Sequence, residues 1–245
     1  MRAMILAAGL GTRLRPLTDN RPKALVEIDG RTLLEITLLR LRSFGIREVI
    51  INVHHYAEMI SAYLGSHDFG MRIELSREEE LLDTGGGLKK ASHFFLEQNS
   101  DEPFLLHNVD VLSSIDLTRM AEWHRDNGAL ATLAVQRRAT SRQLLFDDQL
   151  QLCGRASEPG EANTSESAKK VNVLAFCGIH IISPRIFQLM SEQGVFAIID
   201  SYLRLVSQGQ KILAFRADDY YWRDLGTPES LEQAAEDLAN KTLVL

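Results

Sequence analysis

The chain has 245 residues, 45% of them hydrophobic and 24% charged, with a formal net charge of −6 at pH 7. That length suits one large domain or two small ones, with enough apolar residues to bury a real core. The acidic balance argues against a broad nucleic-acid surface, which selects clustered positive charge, but it leaves room for a nucleotide site that needs only a few local cations.

Residues 3–8 form an apolar run that predicts a buried strand. The run ends at Gly9 and is followed by Arg13 and Arg15, so it is too short for a signal peptide and lacks a small-residue cleavage site. Over residues 32–44, Leu33, Leu34, Leu38, Leu41 and Phe44 share one helical stripe, and Gly45 suits the stop. Residues 48–53 read as a strand, 56–64 as a helix ending at Gly65, 71–75 as a strand and 86–96 as a helix. Residues 103–107 read as a strand, 116–127 as a helix and 130–135 as a strand. This alternation predicts an α/β fold with a mostly parallel sheet covered on both faces, whose ligands lie beyond the carboxyl ends of the strands. Residues 154–170 are polar and read as a loop. Residues 171–182 and 211–216 read as strands, 184–190 and 197–206 as helices. A final helix over 228–239 carries Pro228 in its first turn. No repeat or linker divides the chain, so 1–245 is expected to be a single domain.

Two cysteines, Cys153 and Cys177, are too few for a disulfide framework; both read as reduced thiols of a cytoplasmic protein. No segment reaches the ~18–20 apolar residues of a membrane span. Neither nucleic acid nor membrane is an expected partner, and the oligomeric state is left open.

The strongest local signal is Leu6-Ala7-Ala8-Gly9-Leu10-Gly11-Thr12-Arg13-Leu14-Arg15-Pro16-Leu17-Thr18, followed by Pro22-Lys23. A strand runs into two glycines, a hydroxyl and two arginines. Glycines let the backbone approach a phosphate or base and aim N–H groups at it. Arg13 can hold two phosphate oxygens at once, while Lys23 acts as a point charge. A dinucleotide fingerprint would need Gly where Leu14 stands, and a P-loop would need Gly-Lys-Ser/Thr, which the chain lacks. Far along the sequence, Asp110 and Asp224 are carboxylates at predicted strand ends. Mg²⁺ prefers such oxygen ligands and takes one or two of them together with substrate phosphates. The competing reading for each is a cap or turn residue, and Asp224-Leu225-Gly226 before Thr227-Pro228 has that form. Asp83-Thr84-Gly85-Gly86-Gly87-Leu88 is a second glycine cluster, suited to close approach by a flat base.

The run from Met4 to Leu25 resembles the signature of the sugar-phosphate nucleotidyltransferases: Leu-Ala-Ala-Gly, any residue, Gly-Thr-Arg-Leu, then Pro-Lys and a hydrophobic residue. The resemblance covers nearly the whole chain, most closely at 3–25, 83–88 and 222–228. It implies a Rossmann-like three-layer sandwich with a mostly parallel mixed sheet and an inserted sugar-binding region. The nucleotide-binding half would be about 1–110 and the sugar-binding half about 111–245. It further implies nucleotide contacts from Ala7, Ala8, Gly9, Gly11 and Thr12, with Arg13 on the departing pyrophosphate and Lys23 along the α-phosphate and the attacking sugar phosphate. Asp110 is expected to be catalytic and, with Asp224, to hold Mg²⁺. Glu78, Thr84, Gly85, Gly86 and Asn108 are expected around the nucleotide. The implied substrates are a nucleoside triphosphate, UTP or GTP, and a sugar 1-phosphate.

The chain departs from the family pattern twice. Val109 stands where the family has Gly, and Ser157-Glu158-Pro159 stands where it carries Glu-Lys-Pro; Lys169 or Lys170 is a candidate for the missing cation. On the sugar side, Phe176-Cys177-Gly178-Ile179 resembles the strand whose glycine backs the sugar, and Asn172 is a candidate contact to a sugar hydroxyl. His54, His55, His107 and His180 read as surface or core histidines, and Tyr220-Tyr221-Trp222 as core packing. The compact length resembles enzymes of UDP-muramic acid derivatives, GDP-mannose or GDP-heptose. Two other readings are a phosphocholine-type cytidylyltransferase on the same fold and a non-catalytic nucleotide-sugar sensor.

Overall fold

The computed structural model describes residues 1–97, 101–140, 143–156 and 171–240. In chain order the elements are β1 (Ala3–Leu6), β2 (Glu27–Ile28), β3 (Arg31–Thr32), α1 (Leu33–Ser43), β4 (Glu48–Val53), α2 (Ala57–Gly65), β5 (Arg72–Arg77), α3 (Asp83–Lys90), α4 (Ser92–Leu96), β6 (Phe104–Asn108) and β7 (Val111–Ser113). There follow α5 (Leu117–Asp126), β8 (Ala131–Gln136), β9 (Gln143–Phe146), β10 (Leu152–Arg155), β11 (Asn172–Ile182), α6 (Ile186–Leu189), α7 (Ile198–Ser207), β12 (Ile212–Arg216), β13 (Trp222–Asp224) and α8 (Pro228–Ala239).

The central sheet is mixed. β6, β1, β4 and β5 lie side by side and parallel. The long strand β11 pairs antiparallel with β6, β8 and β9, and β12 runs parallel to β8. Successive strand residues point to opposite faces, and the core divides accordingly. Ala3 and Ile5, Val49 and Ile51, and Leu105 join α1, α5 and α8 in one cluster. Met4, Ile50, Phe104 and Leu106 join α3, α4, α6 and α7 in the other. The result is the sheet covered on both faces that the alternation of strands and helices predicts, in the Rossmann-like three-layer form that the family resemblance implies.

The main helices and strands fall close to their predicted positions. Thr32 caps α1, its hydroxyl accepting from Glu35 N at 3.0 Å, and Gly45 follows with φ 79°. The helix predicted over 86–96 is instead two, α3 and α4, with α3 beginning at Asp83. Residues 85–87 therefore lie within a helix, not in a loop before one. Of the loop predicted over 154–170, Gly154 and Arg155 belong to β10, and 157–170 lie outside the described residues, as do Glu158, Lys169 and Lys170. The ribbon of β7 with β13 was not legible in sequence.

Candidate active site

A cleft of about 560 Å³ opens over the carboxyl ends of β1, β4, β5 and β6, lined there by Leu6, Asn52, Glu78 and Asn108. The glycine loop forms its wall after β1. Gly11 adopts φ 64° and leads into a single 3₁₀ turn, Thr12–Leu14. Its carbonyl accepts from the Thr18 hydroxyl at 2.9 Å, and a Cβ in its place would press to 3.1 Å from both Lys23 Cβ and Thr18 Cγ2. Glycine here satisfies both a left-handed backbone and a close approach. Gly9 has open space around it and lines the cleft with Ala8, Gly11, Thr12 and Arg13.

Two cation–carboxylate pairs stand at this end. Lys23, in a 3₁₀ turn after Pro22, donates from its largely buried ammonium to the Asp110 carboxylate. The exposed Arg13 guanidinium lies 3.7 Å from Asp224 Oδ1. The two aspartates belong to one ribbon. Asp224 ends β13, opposite Val111 of β7, and Leu225 N donates to Asp110 O at 2.8 Å. Gly226 N donates to Asp224 Oδ1 at 3.0 Å, and any side chain at Gly226 would overlap the Arg13 guanidinium. Asp224 thus fills the Asp-x-Gly turn role and also faces a cation of the cleft.

No three His, Cys, Asp or Glu side chains converge as a metal cage among the described residues. Two carboxylates on one ribbon still match what Mg²⁺ requires, because that ion draws its other ligands from phosphates and water. Anionic oxygens entering the cleft would compete with Asp110 and Asp224 for Lys23 and Arg13, leaving carboxylate oxygens for a cation.

At the other end of the cleft, Glu78 lines the wall and is also bonded within the protein. Its buried carboxylate accepts from Asn52 Nδ2 at 2.7 Å and from Leu82 N at 3.0 Å, while Asn52 Oδ1 accepts from Ala7 N at 2.7 Å. This relay ties the end of β1 through β4 to the segment after β5, and Ala7 belongs to it, being itself buried. A Cβ on Gly87 would sit 2.7 Å from Glu78 Oε1 and 2.8 Å from Asn52 Nδ2, which explains the third glycine. Thr84 lines the cleft, and its hydroxyl also accepts from Ile198 N at 3.0 Å. Gly85 and Gly86 do not line it. Their amides donate to Phe196 O at 2.9 and 3.3 Å, and side chains on them would overlap the Phe196 ring and Gly194 O. They pack the 194–196 backbone onto α3 beneath the cleft wall, and no face of theirs lines the cleft where a base contact was expected. Asn52, Leu81, Asp83 and Val195 line the cleft without having been singled out in the sequence. The available signal was a polar Asn inside the Ile-Ile-Asn-Val run of β4.

On the β6 side, Asn108 and Asp110 line the cleft as expected. Val109 is buried and also lines it; its φ is not positive, so a branched residue fits where the family carries glycine. Gly178, with φ 74°, sits at an irregularity in the β11–β8 register. A Cβ there would fall 2.8 Å from Asn108 Nδ2, so Gly178 backs Asn108 directly. Asn172 is elsewhere: it opens β11, and its amide donates to Asp147 O at 2.9 Å. It is not among the lining residues, and the expected sugar contact is not supported.

The histidine expectations divide by burial. His107 Nδ1 lies 2.7 Å from Asn108 O, and burial lowers its pKa to about 4. His180 meets the Tyr202 hydroxyl at 3.0 Å, and burial lowers its pKa to about 3. Both are neutral core residues behind the cleft. Trp222 donates to Cys177 O at 2.7 Å and carries Arg138 over its ring at 3.7 Å, in keeping with packing. Both cysteines are free.

Comparison with known proteins agrees with this arrangement. The family described as "Nucleotidyl transferase" matches residues 2–144 and 166–241. The chain belongs to this family, among the sugar-phosphate nucleotidyltransferases. It is 30% identical over 247 residues to an N-acetylmuramate alpha-1-phosphate uridylyltransferase of Caulobacter vibrioides, covering 97% of this chain and 96% of that one. It is also 30% identical over 249 residues to a D-glycero-alpha-D-manno-heptose 1-phosphate guanylyltransferase of Aneurinibacillus thermoaerophilus, covering 97% and 98%. Among solved structures, HddC from Yersinia pseudotuberculosis matches with a TM-score of 0.76 at 23% identity, covering 97% of this chain and 99% of that one. A UDP-glucose pyrophosphorylase complexed with UDP-glucose matches with 0.78 at 18% identity, covering 98% of each; at these identities the likeness is one of fold. No helix among the described residues is long and apolar enough to cross a membrane.

Proposed function

We propose that this nucleotidyltransferase joins a nucleoside triphosphate, UTP or GTP, to a sugar 1-phosphate, releasing pyrophosphate and a nucleotide sugar. The observation that carries the reading is the pairing of Lys23 with Asp110 and of Arg13 with Asp224 at one end of a glycine-walled cleft. The relatives named above act on sugar 1-phosphates with uridylyl or guanylyl donors, which supports the choice of substrates.

A sugar phosphate oxygen attacks the α-phosphorus, and pyrophosphate leaves in line. The nucleophile is already an anion, so little proton transfer is needed. The protein's work is to bring two mutually repelling anions together and to neutralise the oxygens that gain charge. Lys23, low in the cleft, is assigned to the α-phosphate and the incoming sugar phosphate; the exposed, extended Arg13 is assigned to the leaving pyrophosphate. Ala8, Gly9, Gly11 and Thr12 form the wall along which the triphosphate lies. Asp110 and Asp224 would hold Mg²⁺, whose charge would offset that of the phosphate oxygens. Asn108, backed by Gly178, is assigned to the acceptor side. We read residues 1–110 as the main nucleotide half of one domain, and the reaction as cytoplasmic, in keeping with two free thiols.

Pyrophosphate release with Mg²⁺, UTP or GTP, and a panel of hexose and heptose 1-phosphates against choline phosphate tests this reading. Release with a sugar 1-phosphate and none with choline phosphate is expected. Release with choline phosphate alone would overturn it.

A further inference from the structure

The order of the parallel strands gives the cleft a direction. β6, with Asn108 and Asp110 at its end, and β5, leading to Glu78, are separated by β1 and β4, three strand spacings or about 14 Å. The cations Arg13 and Lys23, with Asp110 and Asp224, gather at the β1–β6 side, while Glu78 and Asp83 line the β5 side. The β5 side is closed by Leu81 and Val195, two exposed apolar side chains at 37% and 62%.

Val195 comes from the second half of the chain and is held there by several bonds. Lys89 Nζ donates to the carbonyls of Met190 and Glu192. The Glu192 carboxylate pairs with Arg204 at 2.7 and 2.9 Å. Phe196 N donates to Leu82 O at 3.2 Å, and Phe196 O accepts from Gly85 N and Gly86 N. The bare glycines of α3 let the 194–196 backbone lie directly on that helix. A β-branched apolar residue is thereby held at the cleft that Leu81 also lines, and it stays largely exposed there.

We propose that Leu81 and Val195 are the apolar jaws that hold the flat face of the nucleobase, so that the 190–196 segment completes the nucleotide site. The inference rests on the nucleotide-site reading above. A heteroaromatic base has two apolar faces, and its triphosphate then reaches back along the glycine wall to Arg13 and Lys23. Burying a few methyl groups against such a face changes affinity severalfold.

The test is binding of UTP and GTP by calorimetry, with inorganic tripolyphosphate, which lacks a base, as the second probe. Val195→Ser and Leu81→Ser are each expected to weaken the better-bound nucleoside triphosphate about three- to fivefold, and the double variant about tenfold or more. Tripolyphosphate affinity is expected to stay within about twofold in all three. Leu96→Ser, at an exposed position of α4 away from the cleft, is the control and leaves both unchanged. Unchanged nucleotide affinity in the double variant would overturn the proposal; so would equal weakening of tripolyphosphate, which would signify a disturbed cleft. Pyrophosphate release is read separately: its absence in a wild-type protein that binds nucleotide would overturn the transfer reading, while the binding ratios decide the jaws. A wild type that binds neither UTP nor GTP would overturn both.

Discussion

Two glycine clusters border the same cleft and do opposite work. Gly9 and Gly11 form a wall that faces the cleft, Gly9 with open space beside it. Gly85, Gly86 and Gly87 are filled in from the protein side by Phe196, Gly194 and the Glu78–Asn52 relay. The first cluster leaves room for a ligand. The second leaves room for the protein's own distant segments, and so positions the residues that do face the cleft. Identical residues in sequence thus signal close approach, but not by what.

The largest expected effect lies at the phosphate end. Asp110→Asn is expected to lower turnover by about 10³-fold, a typical loss for a group that organises charge at the reacting centre. Steady-state pyrophosphate release checks it, and turnover within about tenfold of wild type would break the contrast between the two ends. Next come the glycines themselves. Gly86→Ala drives a methyl into the Gly194 carbonyl and is expected to cost about 3 kcal/mol of stability. Gly9→Ala is expected to change stability by no more than about 0.5 kcal/mol while impairing turnover. Urea unfolding of both variants decides the matter, and equal destabilisation would erase the distinction.

A smaller effect follows from three buried histidines, His107 and His180 behind the cleft and His124 of α5, which lies 3.0 Å from both the Thr132 and Ser183 hydroxyls. Burial lowers the pKa of His107 and His124 to about 4 and that of His180 to about 3, below the ~6.5 of an unfolded chain. Between those values the unfolded chain takes up protons that the folded one refuses. Their contribution is therefore fully present above about pH 6.5 and is lost as pH falls, by about 1–2 kcal/mol for each near pH 5. Ring-proton NMR should show these three unshifted down to about pH 5, and a midpoint near 6.5 for any of them would contradict its burial. The smallest effect sharpens the role of Glu78. Glu78→Gln keeps the bond from Asn52 but sets an amide against Leu82 N–H, or the reverse, and is expected to cost about 1 kcal/mol. The KM for the triphosphate should rise only about twofold to threefold; a much larger rise at unchanged stability would make Glu78 a direct ligand.

Much of the fold was legible because its determinants are local. The stripe of Leu34, Leu38 and Leu41, the Gly45 stop and the Pro228 start are read within a few residues. The phosphate end was legible for the same reason, since residues 8–23 carry most of it in one continuous run. What escaped depends on pairings over long separations. The β7–β13 ribbon joins Val111 to Asp224, and the Phe196 contacts reach back to Gly85 and Gly86. Glu78 was placed near the nucleotide by the family resemblance and does line the cleft, but its bond from Asn52 and the bond from Asn172 to Asp147 O were not visible in sequence. Val195 gave no signal at all, because an exposed valine is ordinary until its neighbours are known.

Everything at the phosphate end bears on one reaction, transfer of a nucleotidyl group to a sugar 1-phosphate. The most direct test is product analysis by mass spectrometry after incubating the protein with Mg²⁺, UTP or GTP, and each sugar 1-phosphate, beside Asp110→Asn. A nucleotide sugar and one equivalent of pyrophosphate are expected, formed only when both substrates are present and nearly absent in the variant. Hydrolysis of the triphosphate without a sugar 1-phosphate, or no nucleotide sugar with any of the panel, would contradict it.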